Sequence, residues 1–95
     1  MELTCHWAYP AAPNQPVALV VEDDGPTSKL LCDWLRDAGL SPVPAADGLC
    51  GLEEARRLRP ALIVLDVNLP RLDGWQLLSE LKGDANLSRV PVVMV

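Results

Sequence analysis

The sequence predicts an α/β domain built on a doubly wound parallel sheet, and three observations carry that prediction. Two short aliphatic runs, Val17-Ala18-Leu19-Val20-Val21 and Leu62-Ile63-Val64-Leu65, show no alternation of polar and apolar residues. Such runs mark strands buried on both faces, as in a parallel sheet. Each run stops abruptly at carboxylates, Glu22-Asp23-Asp24 after the first and Asp66 after the second. Between and after them lie segments with helical periodicity, so strands and helices alternate in the order that βαβ units require.

The elements follow in chain order. Met1 to Pro16 holds Pro10, Pro13 and Pro16 among Ala, Asn and Gln, a composition that sustains neither helix nor sheet, and residues 1–16 are expected to be a flexible leader. The strand over 17–21 is followed by Gly25-Pro26, a helix opening with proline at an early position. Leu30, Leu31, Trp34, Leu35 and Ala38 form the apolar stripe of that helix, and Gly39 ends it. Ser41 to Ala46 is a weaker strand that Pro42 and Pro44 confine to a sheet edge, because proline cannot donate to a ladder. Asp47 is placed to cap a helix over 49–58, with Leu52 and Ala55 toward the sheet and Arg56, Arg57 and Arg59 as solvated charges at its C-terminal end. After the 62–65 strand and the Leu69-Pro70 turn, Asp73 and Gln76 form a capping box at Gly74, and Leu77, Leu78 and Leu81 supply the buried face. A polar loop over 84–89 leads to a fourth strand over 90–95, expected to be an apolar edge open to self-association.

Composition narrows the function. The 95 residues allow a single domain near the lower size limit for a self-sufficient core. A net charge of -5 with only 8 Lys+Arg argues against direct nucleic-acid binding, which rests on clustered cations. The aliphatic runs are far too short to cross a bilayer, and the first 16 residues lack the basic and apolar regions of a secretory signal, so the expected location is the cytoplasm. Cys5, Cys32 and Cys50, odd in number and without C-x-x-C spacing, suggest neither a disulfide framework nor a zinc site.

In a parallel sheet with right-handed crossovers, the carboxyl ends of the 17–21 and 62–65 strands lie on one edge. If these strands are neighbours, Glu22, Asp23 and Asp66 converge. Anions so close repel, and a divalent cation is the simplest remedy. An all-oxygen site suits Mg²⁺, with the main-chain carbonyl of Asn68 placed to add a ligand. Asp66 is then the natural nucleophile toward a phosphoryl group, giving an acyl phosphate.

Val20-Val21-Glu22-Asp23-Asp24, Ala46-Asp47-Gly48 and the stretch Leu65-Asp66-Val67-Asn68-Leu69-Pro70-Arg71-Leu72-Asp73-Gly74, at their spacings, resemble the receiver domain of two-component response regulators over residues 17–95. The resemblance implies a flavodoxin-like sheet with Asp66 as phospho-acceptor. It further implies that Asp23 is a direct Mg²⁺ ligand, that Glu22 acts through water, that Asn68 offers its main-chain carbonyl, and that Asp47, Pro70, Asp73 and Gly74 are structural turn or cap residues. The implied phosphodonor is a phosphohistidine on a sensor histidine kinase or a histidine phosphotransfer protein. A complete receiver continues with a switch Ser or Thr, a helix, a fifth strand ending in Lys, and a closing helix. This sequence stops at Val95 with four strands and three helices expected, so the fifth strand and last two helices are absent, and neither Lys29 nor Lys82 stands where that Lys would. Two alternatives are a phosphorylation-silent docking module and a small Mg²⁺-dependent phosphohydrolase with an Asp nucleophile. The second wants an acid near Asp66 to protonate a leaving group, where this sequence has Asn68.

Overall fold

A computed structural model describes residues 15–69 and 72–95. Most of the expected leader, residues 1–14, and Pro70 lie outside the described residues. The element order is β1 (Val17–Val21), α1 (Gly25–Asp37), β2 (Ser41–Ala45), α2 (Gly48–Leu58), β3 (Leu62–Leu65), α3 (Gly74–Gly83) and β4 (Val92–Met94). All pairings are parallel and the spatial order is β2-β1-β3-β4. Thus β2 is an edge strand, as its prolines require, and the two aliphatic runs are central neighbours. β4 is the other edge and is shorter than the expected 90–95.

Each helix begins at an aspartate whose side chain accepts a main-chain N–H three residues on: Asp24 from Thr27, Asp47 from Cys50 and Asp73 from Gln76. At α3 the Gln76 side chain also accepts the Asp73 N–H, completing the capping box. Such caps contribute about 1 kcal/mol each by satisfying donors that the helix leaves open. Gly39 follows α1 with φ +90, the left-handed turn that glycine takes without strain.

Alternate side chains of the strands point to opposite faces. Leu19, Val21, Val43, Ala45, Ile63 and Leu65 form one core layer with Ala55 of α2, Leu77 and Leu81 of α3, and Leu69 and Leu87 of the loops. Ala18 and Val20 are also fully buried, as is Cys32 of α1. The expected α1 stripe is therefore corrected: Trp34 and Leu30 are 60% and 48% exposed, and the helix buries Cys32 with Leu31 and Leu35 half-buried. The small Cys32 lets α1 approach β1 and β2 closely, while Leu30 and Trp34 turn outward on the same helix.

The arginines at the end of α2 are exposed, as expected, and two of them also pair with acids. Arg57 lies 2.6 Å from Glu54, which is only 3% exposed, and Arg56 lies 3.4 Å from Asp84. Burial of a carboxylate requires such a partner. Cys32 is free and buried, and Cys5 lies outside the described residues.

Candidate metal centre at the carboxyl ends of β1 and β3

The register pairs Val21 with Leu65, so Glu22 and Asp66 leave the sheet side by side. The Asp66 N–H donates to the Val21 carbonyl at 3.0 Å, and the Glu22 N–H donates to the Ala45 carbonyl at 3.0 Å. These bonds fix the main chain of both acids to neighbouring strands. Carboxylate oxygens of Glu22, Asp23 and Asp66 all lie within 4.8 Å of one another. Glu22 is buried, Asp66 half-buried and Asp23 exposed.

Asp24 takes a different part. Its carboxylate caps α1 through the main-chain N–H of Thr27 at 3.0 Å and the Thr27 hydroxyl, which hold it below the usual carboxylate range. Its main-chain N–H donates to Glu22 Oε2 at 3.2 Å. One Oδ of Asp66 accepts from the Asn68 N–H at 3.0 Å, which curls the chain into a tight turn after β3. Burial pushes the Glu22 carboxyl up from its ordinary value; the Asp24 N–H offsets part of that, and the nearby Asp66 and Asp23 carboxylates push it further up. Among the described residues, ion pairs join Lys29 and Arg36 to Asp33, Arg56 to Asp84 and Arg57 to Glu54; none of these pairs involves an acid of the cluster.

Glycines bring the surrounding loops this close. A Cβ on Gly74 would overlap the Asp66 carbonyl oxygen and stand 2.7 Å from Val67 Cα, both main-chain atoms that cannot move aside. The Gly74 N–H donates to the Val67 carbonyl at 3.0 Å. A Cβ on Gly48 would likewise overlap the Leu72 carbonyl, so the start of α2 leans on the same loop. Asp47-Gly48 and Asp73-Gly74 repeat one dipeptide, a capping aspartate before a glycine that meets neighbouring backbone. The sequence marks both as caps; the close approach at Gly74 and Gly48 is what the structure adds.

An oxygen-only donor set of this size fits a hard divalent cation and is poorly suited to softer metals, which favour nitrogen or sulfur. The response regulator receiver domain model matches residues 18–95. The chain belongs to the response regulator receiver domain family. This receiver is 35% identical over 77 residues to the polar-differentiation response regulator DivK of Brucella anthropi, covering 81% of this chain and 63% of DivK. It superposes on a putative response regulator from Chloroflexus aurantiacus with a TM-score of 0.82 at 28% identity, covering 85% of this chain and 66% of the other. It superposes on the Mn²⁺-bound form of the response regulator Rcp1 with a TM-score of 0.74 at 33% identity, covering 83% and 63%. The receiver spans from 5% to 63% of the length of the curated relatives it matches. Its sheet is accordingly flavodoxin-like, with four strands and three helices of that fold in place, and its role is that of a signalling module. No helix among the described residues is long and apolar enough to cross a membrane.

Proposed function

We propose that residues 17–95 are a phosphorelay receiver in which Asp66 accepts a phosphoryl group with Mg²⁺, and that residues 1–16 are its leader. The observation that carries this reading is the meeting of Glu22, Asp23 and Asp66 oxygens within 4.8 Å, from two segments far apart in sequence. Asp23 and Asp66 would hold the ion directly, the Asn68 main-chain carbonyl would add a ligand, and Glu22 would act through water. Rcp1, a relative by fold and sequence, has been solved with Mn²⁺, a cation of similar preference for oxygen. When bound, Mg²⁺ supplies positive charge for the phosphoryl oxygens during in-line transfer.

The chain's own residues do the rest. An Asp66 carboxylate oxygen attacks the phosphorus of a phosphohistidine, the P–N bond breaks, and the electron pair leaves with the imidazole of the donor. The product is an acyl phosphate on Asp66. The Asn68 N–H orients the nucleophile by holding Oδ1. Lys29 pairs with Asp33 at 2.8 Å and Lys82 donates to the Ser88 and Val90 carbonyls, so both ammonium groups have partners elsewhere. The partner implied is a histidine kinase or histidine phosphotransfer protein in the cytoplasm. No nucleic acid is needed as a partner.

Incubation with Mg²⁺ and a small phosphoramidate donor tests the reading by intact mass. Wild type should gain one phosphoryl group, base-labile and acid-stable, and Asp66→Asn should gain none. Continuous release of phosphate without stable label would favour the hydrolase, and an unlabelled wild type would favour a docking module.

Self-association belongs to the other end of the sheet. β4 pairs on one side only, and Val93 and Val95 are 48% and 52% exposed. An unpaired apolar edge templates strand addition. Sedimentation should show concentration-dependent dimers for the wild type and monomers for Val93→Lys; equal behaviour of the two removes this edge from consideration.

A further inference from the structure

Lys82 stands in the last turn of α3, where a cation complements the helix dipole, yet its ammonium is directed to another segment. It donates to the main-chain carbonyls of Ser88 at 3.1 Å and Val90 at 3.2 Å. An ammonium has three donors and no fixed plane, so one lysine can satisfy two carbonyls that diverge. The segment it bridges, between α3 and β4, is also held by Asp84, which accepts the Asn86 N–H at 2.8 Å and faces Arg56 of α2. Leu87, 1% exposed, anchors its middle in the core.

From Val90 the chain runs directly into β4. The Pro91 carbonyl accepts from the Ile63 N–H at 3.0 Å, the Val95 N–H donates to the Leu65 carbonyl at 2.9 Å, and the Val95 carbonyl accepts from the Val67 N–H at 3.2 Å. Val67 is the residue after Asp66. Among the described residues β4 is three residues long and paired on one side, a ladder that alone holds it weakly. Its entry point therefore matters, and that entry point is the carbonyl pair that Lys82 grips with charge-assisted hydrogen bonds.

We infer that Lys82 is a positioning residue: by fixing the Ser88 and Val90 carbonyls it sets β4 against β3 and, through the hydrogen bond between Val95 and Val67, steadies the turn that carries Asp66. The feature is distinct from the metal centre, at the opposite end of the same strands. The inference does not depend on phosphoryl transfer, because main-chain exchange rates report it directly.

Amide hydrogen exchange of the full chain tests it with Lys82→Met, which keeps the aliphatic stem and removes the ammonium. The Ile63, Val67 and Val95 amides should exchange roughly three- to tenfold faster. The Asp66 amide, bonded to Val21 across the β1–β3 ladder, and the Ser41 amide, bonded to Pro16, should keep their rates. Lys82→Arg, which keeps the charge but in a planar fork, should restore only part of the protection. A uniform acceleration of all five amides would mean general destabilisation and would overturn the inference. So would unchanged rates, or acceleration at Val95 that leaves Val67 as protected as in the wild type.

Discussion

Gly74→Ala should lose about 2–3 kcal/mol of stability and most of its affinity for Mg²⁺, because the added methyl meets only main chain. Its Cβ would overlap the Asp66 carbonyl and crowd Val67 Cα, so either α3 retreats from the turn or the turn moves with Asp66 on it. Either response displaces a carboxylate whose partners lie within 4.8 Å. In a domain of this size the stability loss corresponds to a fall in Tm of roughly 10–20 °C. Gly83, at the other end of the same helix, has open space where a methyl would stand, with nothing within 4 Å, and no left-handed φ, so Gly83→Ala is the matched control and should change little. Thermal unfolding by circular dichroism, with Mg²⁺ binding followed by calorimetry, measures both effects. Equal behaviour of the two variants would refute the close-approach argument.

Glu22→Gln should stabilise the metal-free protein and weaken Mg²⁺ binding, two effects of opposite sign from one substitution. Glu22 is buried beside two other carboxylates, and burial and their charges raise its pKa in the folded state above the ordinary 4.5. The folded protein thus takes up a proton on Glu22 at a higher pH than the unfolded chain does. Stability contributed by this group rises as pH falls from above its folded pKa toward 4.5, because protonation removes the repulsion. Glutamine removes the charge at every pH, so the metal-free Tm at pH 7 should rise by a few degrees, on the order of 1 kcal/mol, and its dependence on pH in the mildly acidic range should flatten. Mg²⁺ affinity should drop about tenfold or more with the loss of one anion from the set. In the wild type, affinity should also decline as pH falls through the Glu22 pKa. Asp24 behaves oppositely: Thr27 lowers its pKa, so its contribution is present above the ordinary 3.8 and disappears as acid titrates the cap. A Glu22→Gln variant that loses stability without metal would sink the repulsion argument.

The sheet is largely legible in the amino-acid sequence, because the information lies in local chemistry. Unalternating aliphatic runs identify β1 and β3 as central, prolines send β2 to the edge, and the Asp73/Gln76 pair marks the start of α3. The site is legible for the same reason: acids that end two buried strands have one edge to occupy. The expected trio of Glu22, Asp23 and Asp66 is the one whose oxygens meet; what the pattern does not resolve is the capping role of Asp24 and which face of α1 is buried. Asp23 and Asp24 are adjacent and chemically alike, yet Asp24 is committed to Thr27 while Asp23 joins the cluster. In α1, Leu30, Leu31, Trp34 and Leu35 fill two adjoining rows, and the row holding the small Cys32 packs inward. Glu54 gives no sign of burial in the sequence, since its ion pair with Arg57 arises from ordinary helical spacing. The glycine contacts join residues from separate elements, so only the assembled chain displays them.

Because β1 and β3 pair directly while α1, β2 and α2 intervene in sequence, the acids meet only after a long stretch of chain has closed on itself. Ladders between distant strands form late and slowly relative to local helices. A cation that recognises Glu22, Asp23 and Asp66 together has no counterpart in the unfolded ensemble, so mass action should draw the polypeptide toward its native state by about 2.7 kcal/mol at a hundredfold excess over Kd. Divalent ions in the growth medium or refolding buffer are thus expected to govern the yield of native material as much as its activity.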